Sequence, residues 1–315
     1  MVTFTAARLK PLCSPLARVF MKTRSLFLSL VLAVVCLQAP LPQGCCQVVG
    51  YINVPISVGY NFVANQFDAT DNTITNVISP SGPPVGSAVY LWSVTNQAYA
   101  PPSVLTTNGW TVNFNLPPPT GFVISSPSTW TLVFTGKILQ GTFTTPYPGA
   151  AKFSLLASAI PLSQALGGTN MAFPPLEGEN VFTHNPTNQA FSDAFTYYTG
   201  YGWFDPDGVV GITGPVINEA RSFFAQNLGA NTNWVQTLPG PAAMGLAAPS
   251  AGIQNIRVVA GTVTLNIRNP GGTSYNVQFS PDGSSWSTVA ANRTGTTWKG
   301  SLPASPQGCF RLANP

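Results

Sequence analysis

The sequence repeats itself, in the same order, over about 90 residues. Thr95–Tyr99 (TNQAY) recurs 92 residues later as Thr187–Phe191 (TNQAF). An ordered repeat of this length indicates a duplicated structural unit, here large enough to be a domain. We therefore predict two tandem modules, at residues 47–147 and 148–240. Further matches keep the order: Phe62–Asn65 with Leu155–Ser158, Val89–Tyr90 with Val181–Phe182, and Gly109–Trp110 with Gly202–Trp203.

The spacing between the two copies grows along the chain. Gly121–Val123 matches Ser222–Phe224 at an offset of 101 residues, and Trp130 approximately matches Trp234. Because the earlier matches are offset by 92 or 93 residues, an insertion of about eight residues is predicted after Trp203.

Short apolar runs such as Trp110–Leu116 and Asn276–Ser280 alternate with turn residues every 8 to 12 positions or so. This spacing, rich in β-branched and aromatic residues, is typical of an all-β chain. The one segment that fits a helix is Phe153–Leu166, which Pro161 interrupts. The predicted fold is all-β: two repeated modules, sandwich- or barrel-like, followed by a small C-terminal β-sandwich-like domain.

The first copy contains three motifs in order: Gly59–Asn65 (GYNFVAN), Val89–Trp92 (VYLW) and Thr120–Val123 (TGFV). This order resembles a module of secreted and surface proteins of environmental bacteria. Its pattern is an opening G-[WFY]-N-[FL]-[IV]-[AGS]-N, a middle [IV]-Y-x-[WY] and a late G-x-G-F-[FV]-[VI]. The second copy departs from it, with Arg221–Ser222 where a glycine is usual. The resemblance covers roughly residues 50–240. It implies an extracellular accessory module and brings no catalytic residues.

The end of the chain reads as a further unit. Residues 241–252 are rich in proline, glycine and alanine, which predicts a semi-rigid linker. Residues 253–315 contain a hairpin signal at Ala260–Gly261 and a turn at Pro281–Gly283. The pattern of Tyr275–Trp286 followed by Cys309–Leu312 resembles a small β-sandwich end-module of exported bacterial proteins, for which fibronectin-like sandwiches are the nearest general architecture. We predict a separate C-terminal β-domain at 253–315.

The first 46 residues have the three parts of a secretory signal peptide, with Met21 as the initiator. Lys22 and Arg24 form a basic start, Leu26–Leu37 is an apolar run, and prolines with a glycine follow. The run of 12 residues is shorter than the roughly 20 that a membrane-spanning helix needs. The sequence therefore predicts a mature chain with no integral membrane segment.

Two cleavage sites fit the residues after the apolar run. Small residues favour a cut after Cys46, and a cut after Ala39 is the alternative. A lipid anchor on Cys36 or Cys45 fits less well, because the preceding residues depart from the lipidation pattern, but it stays open. We predict a protein that is secreted or at the cell surface, with the periplasm as an alternative.

Removal of the leader changes the charge of the chain. The leader holds five of the 13 basic residues and none of the nine acidic ones, so eight basic and nine acidic residues remain. Because nucleic-acid binding needs a basic surface, we predict no nucleic-acid partner. One cysteine, Cys309, follows the predicted cut, so no internal disulfide is expected.

The chain offers few groups for metal binding. His184 is the only histidine, and it occupies the position of Trp92 in the repeat, which favours a packing role. One histidine without cysteines does not make the usual zinc site. Asp205–Gly208 (DPDG) has a faint likeness to a calcium loop but lacks the later ligands, so we interpret it as a β-turn. No metal site is predicted.

The carboxylates do not suggest a catalytic pair. Glu177 and Glu179 lie in a turn, where we expect solvated charges rather than two groups facing across a cleft. Long-range pairing of Asp193 with Glu219 stays open. No phosphate loop or nucleophile elbow is present. The sequence predicts a non-enzyme without a cofactor.

Aromatic side chains are the remaining candidates for a binding surface. Tyr197, Tyr198 and Tyr201 lie in a segment that is not repeated, beside Trp203. We interpret these four residues as a candidate platform for a polysaccharide or another cell-surface component, although the match of Trp203 with Trp110 favours a core position. The first functional hypothesis is a non-catalytic structural or interaction protein. A carbohydrate-binding protein is the second, and an unrecognised hydrolase is the third.

Overall fold

The computed structural model describes residues 48–169, 171–238, 251–269 and 272–315, without the side chains of 210–212. In these residues, β-strands pair in antiparallel ladders, and the one α-helix, α1 (Ile74–Val77), is followed by a 3-10 turn at Ser79–Ser81. The prediction of an all-β chain is confirmed. Within the same ranges no helix is long and apolar enough to cross a lipid bilayer. The predicted leader and its cleavage sites lie outside the described residues.

The predicted helix over Phe153–Leu166 is wrong. Lys152–Ala157 forms strand β12, which pairs along its whole length with β21, Ser222–Asn227. Leu156 packs into one core and Leu155 into another, on the opposite face of the strand. Because apolar residues are buried on both faces, the sequence of this strand lacks the alternation by which a strand is recognised.

One six-stranded sheet, sheet I, joins strands from both ends of the described chain. Strand β1 (Val49–Ile56) is paired on both edges. It pairs along its whole length with β10 (Trp130–Ile138) and through Val49–Ile52 with β28 (Gln307–Ala313). Residues predicted to form a separate C-terminal domain therefore share a sheet with residues predicted to form the first module. In spatial order the strands are β26 (Ser287–Arg293), β25 (Tyr275–Ser280), β28 (Gln307–Ala313), β1 (Val49–Ile56), β10 (Trp130–Ile138) and β3 (Phe67–Asp68).

A three-stranded sheet, sheet II, packs on sheet I. Its buried Val263, Leu265 and Trp298 share a core with Val49 and Tyr51 of β1. The C-terminal sandwich is thus completed by a strand from the other end of the chain, and the described residues belong to one compact unit. Of the predicted linker, residues 241–250 lie outside the described residues. The strands of sheet II are, in order, β23 (Gly252–Val259), β24 (Thr262–Arg268) and β27 (Thr297–Ser301).

Two further sheets, sheet III and sheet IV, have the same order of corresponding strands. Sheet III runs β2 (Gly59–Asn65), β9 (Thr120–Ser126), β4 (Ala88–Tyr90), β7 (Ser103–Thr106) and β8 (Gly109–Trp110). Sheet IV runs β12, β21, β14 (Asn180–Phe182), β17 (Phe195–Tyr198), β18 (Gly202–Phe204) and β19 (Val210–Ile212).

Four two-stranded ladders complete the described structure. Strand β11 (Gly141–Tyr147) lies in the first predicted module, yet its partner β22 (Thr232–Leu238) lies in the second. The paired strands are β5 (Trp92–Ser93) with β6 (Ala98–Tyr99), β11 (Gly141–Tyr147) with β22 (Thr232–Leu238), β13 (Gln164–Ala165) with β20 (Val216–Ile217), and β15 (His184–Asn185) with β16 (Ala190–Phe191).

The ladders of sheet III and sheet IV also correspond in register. Ala88 faces Ser125 in sheet III, and Asn180 faces Gln226 in sheet IV, offsets of 92 and 101 residues. The same offsets relate the β1–β10 ladder to the β11–β22 ladder. The offset grows where β19 is added to sheet IV, in the segment that was predicted as an insertion. By these registers Trp234 corresponds to Val133 and not to Trp130.

The sheets stack in layers, and the inner pair frames the site. Sheet II, sheet I and sheet III share successive cores, and sheet IV is followed by the β11–β22 ladder. Sheets III and IV pack against one another through Phe62, Val123 and Phe224. A Cβ on Gly121 would lie 2.9 Å from the Cβ of Ser222, so this close approach needs a glycine.

Candidate binding site

Two corresponding hairpins lie where sheets III and IV meet. Each contains the repeated Thr-Asn-Gln motif in the turn between its strands, β5–β6 or β15–β16. Gln97 and Gln189 both have a positive φ, 49° and 57°. Gln97 Nε2 donates a hydrogen bond to the Val94 carbonyl, and Gln189 Nε2 donates one to the Pro186 carbonyl. Both bonds are 2.7 Å long and reach a residue three positions earlier. The repeated motif therefore builds the same turn twice.

Each hairpin is fixed to the opposite sheet by its glutamine. The Phe153 amide donates to Gln97 Oε1 at 2.8 Å, and Gln97 Nε2 donates to the Phe153 carbonyl at 3.1 Å. Gln189 makes the same two bonds with the backbone of Tyr60, at 2.6 and 3.1 Å. Tyr60 and Phe153 lie 93 residues apart, so the two contacts are reciprocal. Such bidentate pairing holds both hairpins at the junction of the two sheets.

An open cleft of about 550 Å³, which we call the aromatic cleft, lies between these hairpins. The Phe224 ring is central to it, with ring centroids of Trp92, Phe191 and Tyr99 at 4.9, 5.8 and 6.5 Å. Tyr99 and Phe191 occupy corresponding positions on the two hairpins and are 40% and 46% exposed. The aromatic residues that line the cleft are Trp92, Tyr99, Phe153, Phe182, Phe191 and Phe224.

The polar groups of the cleft are few. Ser192 and Asp193 complete its lining. The Ser192 hydroxyl accepts a hydrogen bond from the Thr183 amide at 3.0 Å, and Trp92 Nε1 donates to the Phe153 carbonyl at 2.9 Å. Because these groups are engaged within the protein, the free surface of the cleft consists mainly of aromatic rings and one carboxylate. Apolar rings with few polar groups are typical of ligand-binding clefts.

His184 is not part of the cleft lining and packs between one ring of the lining, Phe191, and Phe62. Its ring centroid is 4.6 Å from that of Phe62 and 5.2 Å from that of Phe191. Burial, together with the nearby Arg221 guanidinium, lowers the pKa of His184, so the imidazole is neutral near pH 7. Arg221 Nη2 donates to the Pro55 carbonyl at 3.0 Å. This environment suits a packing role for the histidine, as its position in the repeat suggests.

The predicted platform is divided between surface and core. Tyr201 is 70% exposed and Tyr198 42%, while Trp203 is 3% exposed. Trp203 packs against Tyr197, with ring centroids 5.6 Å apart, and against Phe173 in the core beneath sheet IV. The Trp203 face is therefore covered and cannot stack on a sugar. Tyr198 packs edge-on against Phe204.

The interpretation of Glu179 as a solvated turn charge is wrong. Its side chain is fully buried, and its Oε2 accepts a hydrogen bond from the Tyr147 hydroxyl at 3.3 Å. Oε1 has no hydrogen-bond partner. Burial raises the pKa of Glu179 to about 8. Glu177 is exposed as predicted, and its carboxylate accepts a hydrogen bond from the Thr199 amide at 2.6 Å.

The other predicted acidic positions are separated from one another. Asp205 Oδ1 accepts hydrogen bonds from the amides of Asp207 and Val209, as expected for a turn. Glu219 accepts a hydrogen bond from the Ser163 hydroxyl, whereas Asp193 lines the aromatic cleft. Across the described ranges, no three histidine, cysteine or acidic side chains are grouped as metal ligands would be.

The sequence contained one signal for this site. The Thr-Asn-Gln-Ala motif ends in Tyr99 or Phe191, the two exposed aromatic residues of the hairpins. The motif indicates the repeat, but its sequence alone does not indicate binding, because the two aromatic residues meet only in the folded protein. No protein-family model and no curated protein sequence matches the chain.

Proposed function

We propose that the chain is an exported, non-catalytic protein that binds a polysaccharide in the aromatic cleft. The observation that carries the proposal is the pair of exposed rings, Tyr99 and Phe191, held on rigid hairpins around Phe224. Aromatic rings on a β-scaffold offer flat apolar faces to the C–H faces of sugars, and the fixed hairpins lower the entropy cost of binding.

Export is supported by the basic start, apolar run and small-residue segment of the leader. We expect the exported protein to begin between residues 40 and 47. N-terminal sequencing of the exported protein, expressed with its own leader, will identify the first residue. A start at Met1 or Met21 would refute this part of the proposal.

The proposal includes the duplication inferred from the repeat. Matching ladder registers in sheets III and IV and the reciprocal contacts of Gln97 and Gln189 support it. In this reading the aromatic cleft lies at the junction between the two copies, and each copy contributes one hairpin to it. A duplicated unit can thereby present two similar walls to one ligand.

The test is retention of the purified protein on insoluble cellulose, chitin and deacetylated chitin. Tyr99→Ala and Phe191→Ala each remove one exposed wall of the cleft, and we expect each to weaken retention about fivefold or more, since covering roughly 40 Å² of apolar ring contributes about 1 kcal/mol. Tyr198→Ala and Tyr201→Ala are matched controls, because they remove exposed tyrosines outside the cleft.

The outcomes separate the two candidate surfaces. Loss in the cleft variants with retention in the controls supports the proposal. Loss in the Tyr198 and Tyr201 variants alone would place binding on the platform predicted from the sequence and would overturn the assignment to the cleft. No retention of the unaltered protein on any of the three polymers would overturn the proposed function itself.

A further inference from the structure

The charge of the aromatic cleft is negative. Among the described residues that line the cleft, Asp193 is the only charged side chain, and none is a lysine or an arginine. The Asp193 side chain is exposed, and among the described residues no hydrogen bond or ion pair engages its carboxylate. Its charge is therefore available to a ligand rather than balanced by the protein.

The surrounding groups add to the preference for a cation. The faces of the aromatic rings carry negative potential, which attracts a cation placed over them. His184 packs against Phe191 of the lining, and its lowered pKa favours the neutral imidazole. The Arg221 guanidinium, which lies close to His184, keeps its positive charge, and the Glu219 carboxylate partly balances that charge.

We infer that the aromatic cleft selects a polysaccharide whose sugars carry free, protonated amino groups, and that Asp193 is the residue that recognises the amino group. This inference rests on the proposed function and narrows its ligand class. A pyranose can stack on Tyr99 or Phe191 while its ammonium group lies near the Asp193 carboxylate. An N-acetylated sugar has the same ring but no charge, so it loses the ionic contact and keeps the stacking.

The ligand preference can be measured by calorimetric titration with three soluble oligomers of equal length: glucosamine, N-acetylglucosamine and glucose in β-1,4 linkage. At about pH 6, where a sugar amino group is still largely protonated and the lowered pKa of His184 favours its neutral form, we expect glucosamine oligomers to bind about 5- to 10-fold more tightly than the two neutral ones. The difference should shrink at high salt, because exposed ionic contacts are screened.

Three variants test the role of Asp193. Asp193→Asn should reduce the preference to roughly twofold, the share that the ring faces contribute, and Asp193→Glu should restore the full preference, because it restores the charge. Asp207→Asn is the control, since it removes an exposed carboxylate from a turn outside the cleft. We expect the fold to be kept in the Asp193 variants, because the Asp193 side chain makes no hydrogen bond within the described residues. Near-UV circular dichroism of each variant checks this.

The results distinguish this inference from the proposed function. Equal binding of all three oligomers by the unaltered protein would overturn the selection of amino sugars and leave polysaccharide binding in place. A preference that is undiminished in Asp193→Asn would overturn the assignment to Asp193. Absence of binding to all three oligomers would overturn both.

Discussion

Glu179 gives the protein an unusual dependence of stability on pH. Burial raises its folded-state pKa from an ordinary 4.5 to about 8. In the unfolded chain the carboxyl ionises near its ordinary pKa, while in the folded protein it stays protonated until the pH approaches the raised value. The folded state therefore binds more protons between these pKa values, and the free energy of unfolding falls as the pH rises.

The size of the effect follows from the two pKa values. Their separation corresponds to roughly 5 kcal/mol of destabilisation once both states are ionised, of which about 3 kcal/mol develops between about pH 5 and pH 8. His184 acts in the opposite direction, because its pKa is lowered and its contribution to stability grows as the pH rises towards its ordinary value. A variant is thus needed to isolate Glu179.

Glu179→Gln removes the ionisation and keeps an oxygen that can accept the Tyr147 hydrogen bond. Urea unfolding followed by tryptophan fluorescence should show the variant to be more stable than the unaltered protein by about 4 kcal/mol at pH 8 and by only about 1 kcal/mol at pH 5. Glu177→Gln is the matched control: its carboxylate is exposed and its pKa is lowered, so its titration lies below this range. If Glu179→Gln keeps the pH slope of the unaltered protein, the reasoning about its burial fails.

Three further predictions concern single side chains. Gln97→Asn keeps a residue that tolerates positive φ, but its shorter side chain cannot reach the Phe153 backbone. Urea unfolding should show a free energy of unfolding lower by about 1–2 kcal/mol, and an unchanged value would argue against the role of the two Gln97–Phe153 hydrogen bonds. Trp203→Ala should cost about 3–5 kcal/mol and Tyr201→Ala less than about 0.5, so equal costs would contradict their different burial. Burial raises the pKa of the Cys309 thiol to about 12, so a thiol reagent at pH 8 should label it only after denaturant is added; rapid labelling of the native protein would refute this.

Local patterns were sufficient to predict the all-β class and the repeat of the hairpin motif, but not every strand, since β12 of sheet IV was predicted as a helix. Turn residues separate short apolar runs, and the repeated Thr-Asn-Gln motif appears in both hairpins. The match of Trp130 with Trp234 was displaced by three residues, because residue type alone was used where backbone pairing sets the register. The helix prediction failed for a related reason: β12 is buried on both faces and shows no alternation.

Other features depend on contacts between distant parts of the chain. Trp203 and Tyr201 are both aromatic and close in sequence, yet one is buried and the other exposed, which sequence spacing does not decide. The buried position of Glu179 follows from packing against Tyr147, far from its own turn. The aromatic cleft likewise exists only where two hairpins meet, so neither hairpin alone indicates it.

The pairing of β1 with β28 places a demand on how the protein is made. Val49 of β1 pairs with Phe310 of β28, so β1 is synthesised about 260 residues before this pairing partner. Until residues 307–313 have been added, one edge of β1 has no hydrogen-bonding partner and an apolar strand can pair with other chains. A chain cut short anywhere before residue 307 would keep this open edge, even if sheets III and IV were complete. Strand β28 thus covers the second edge of β1 and links β1 to β25 and β26 in sheet I.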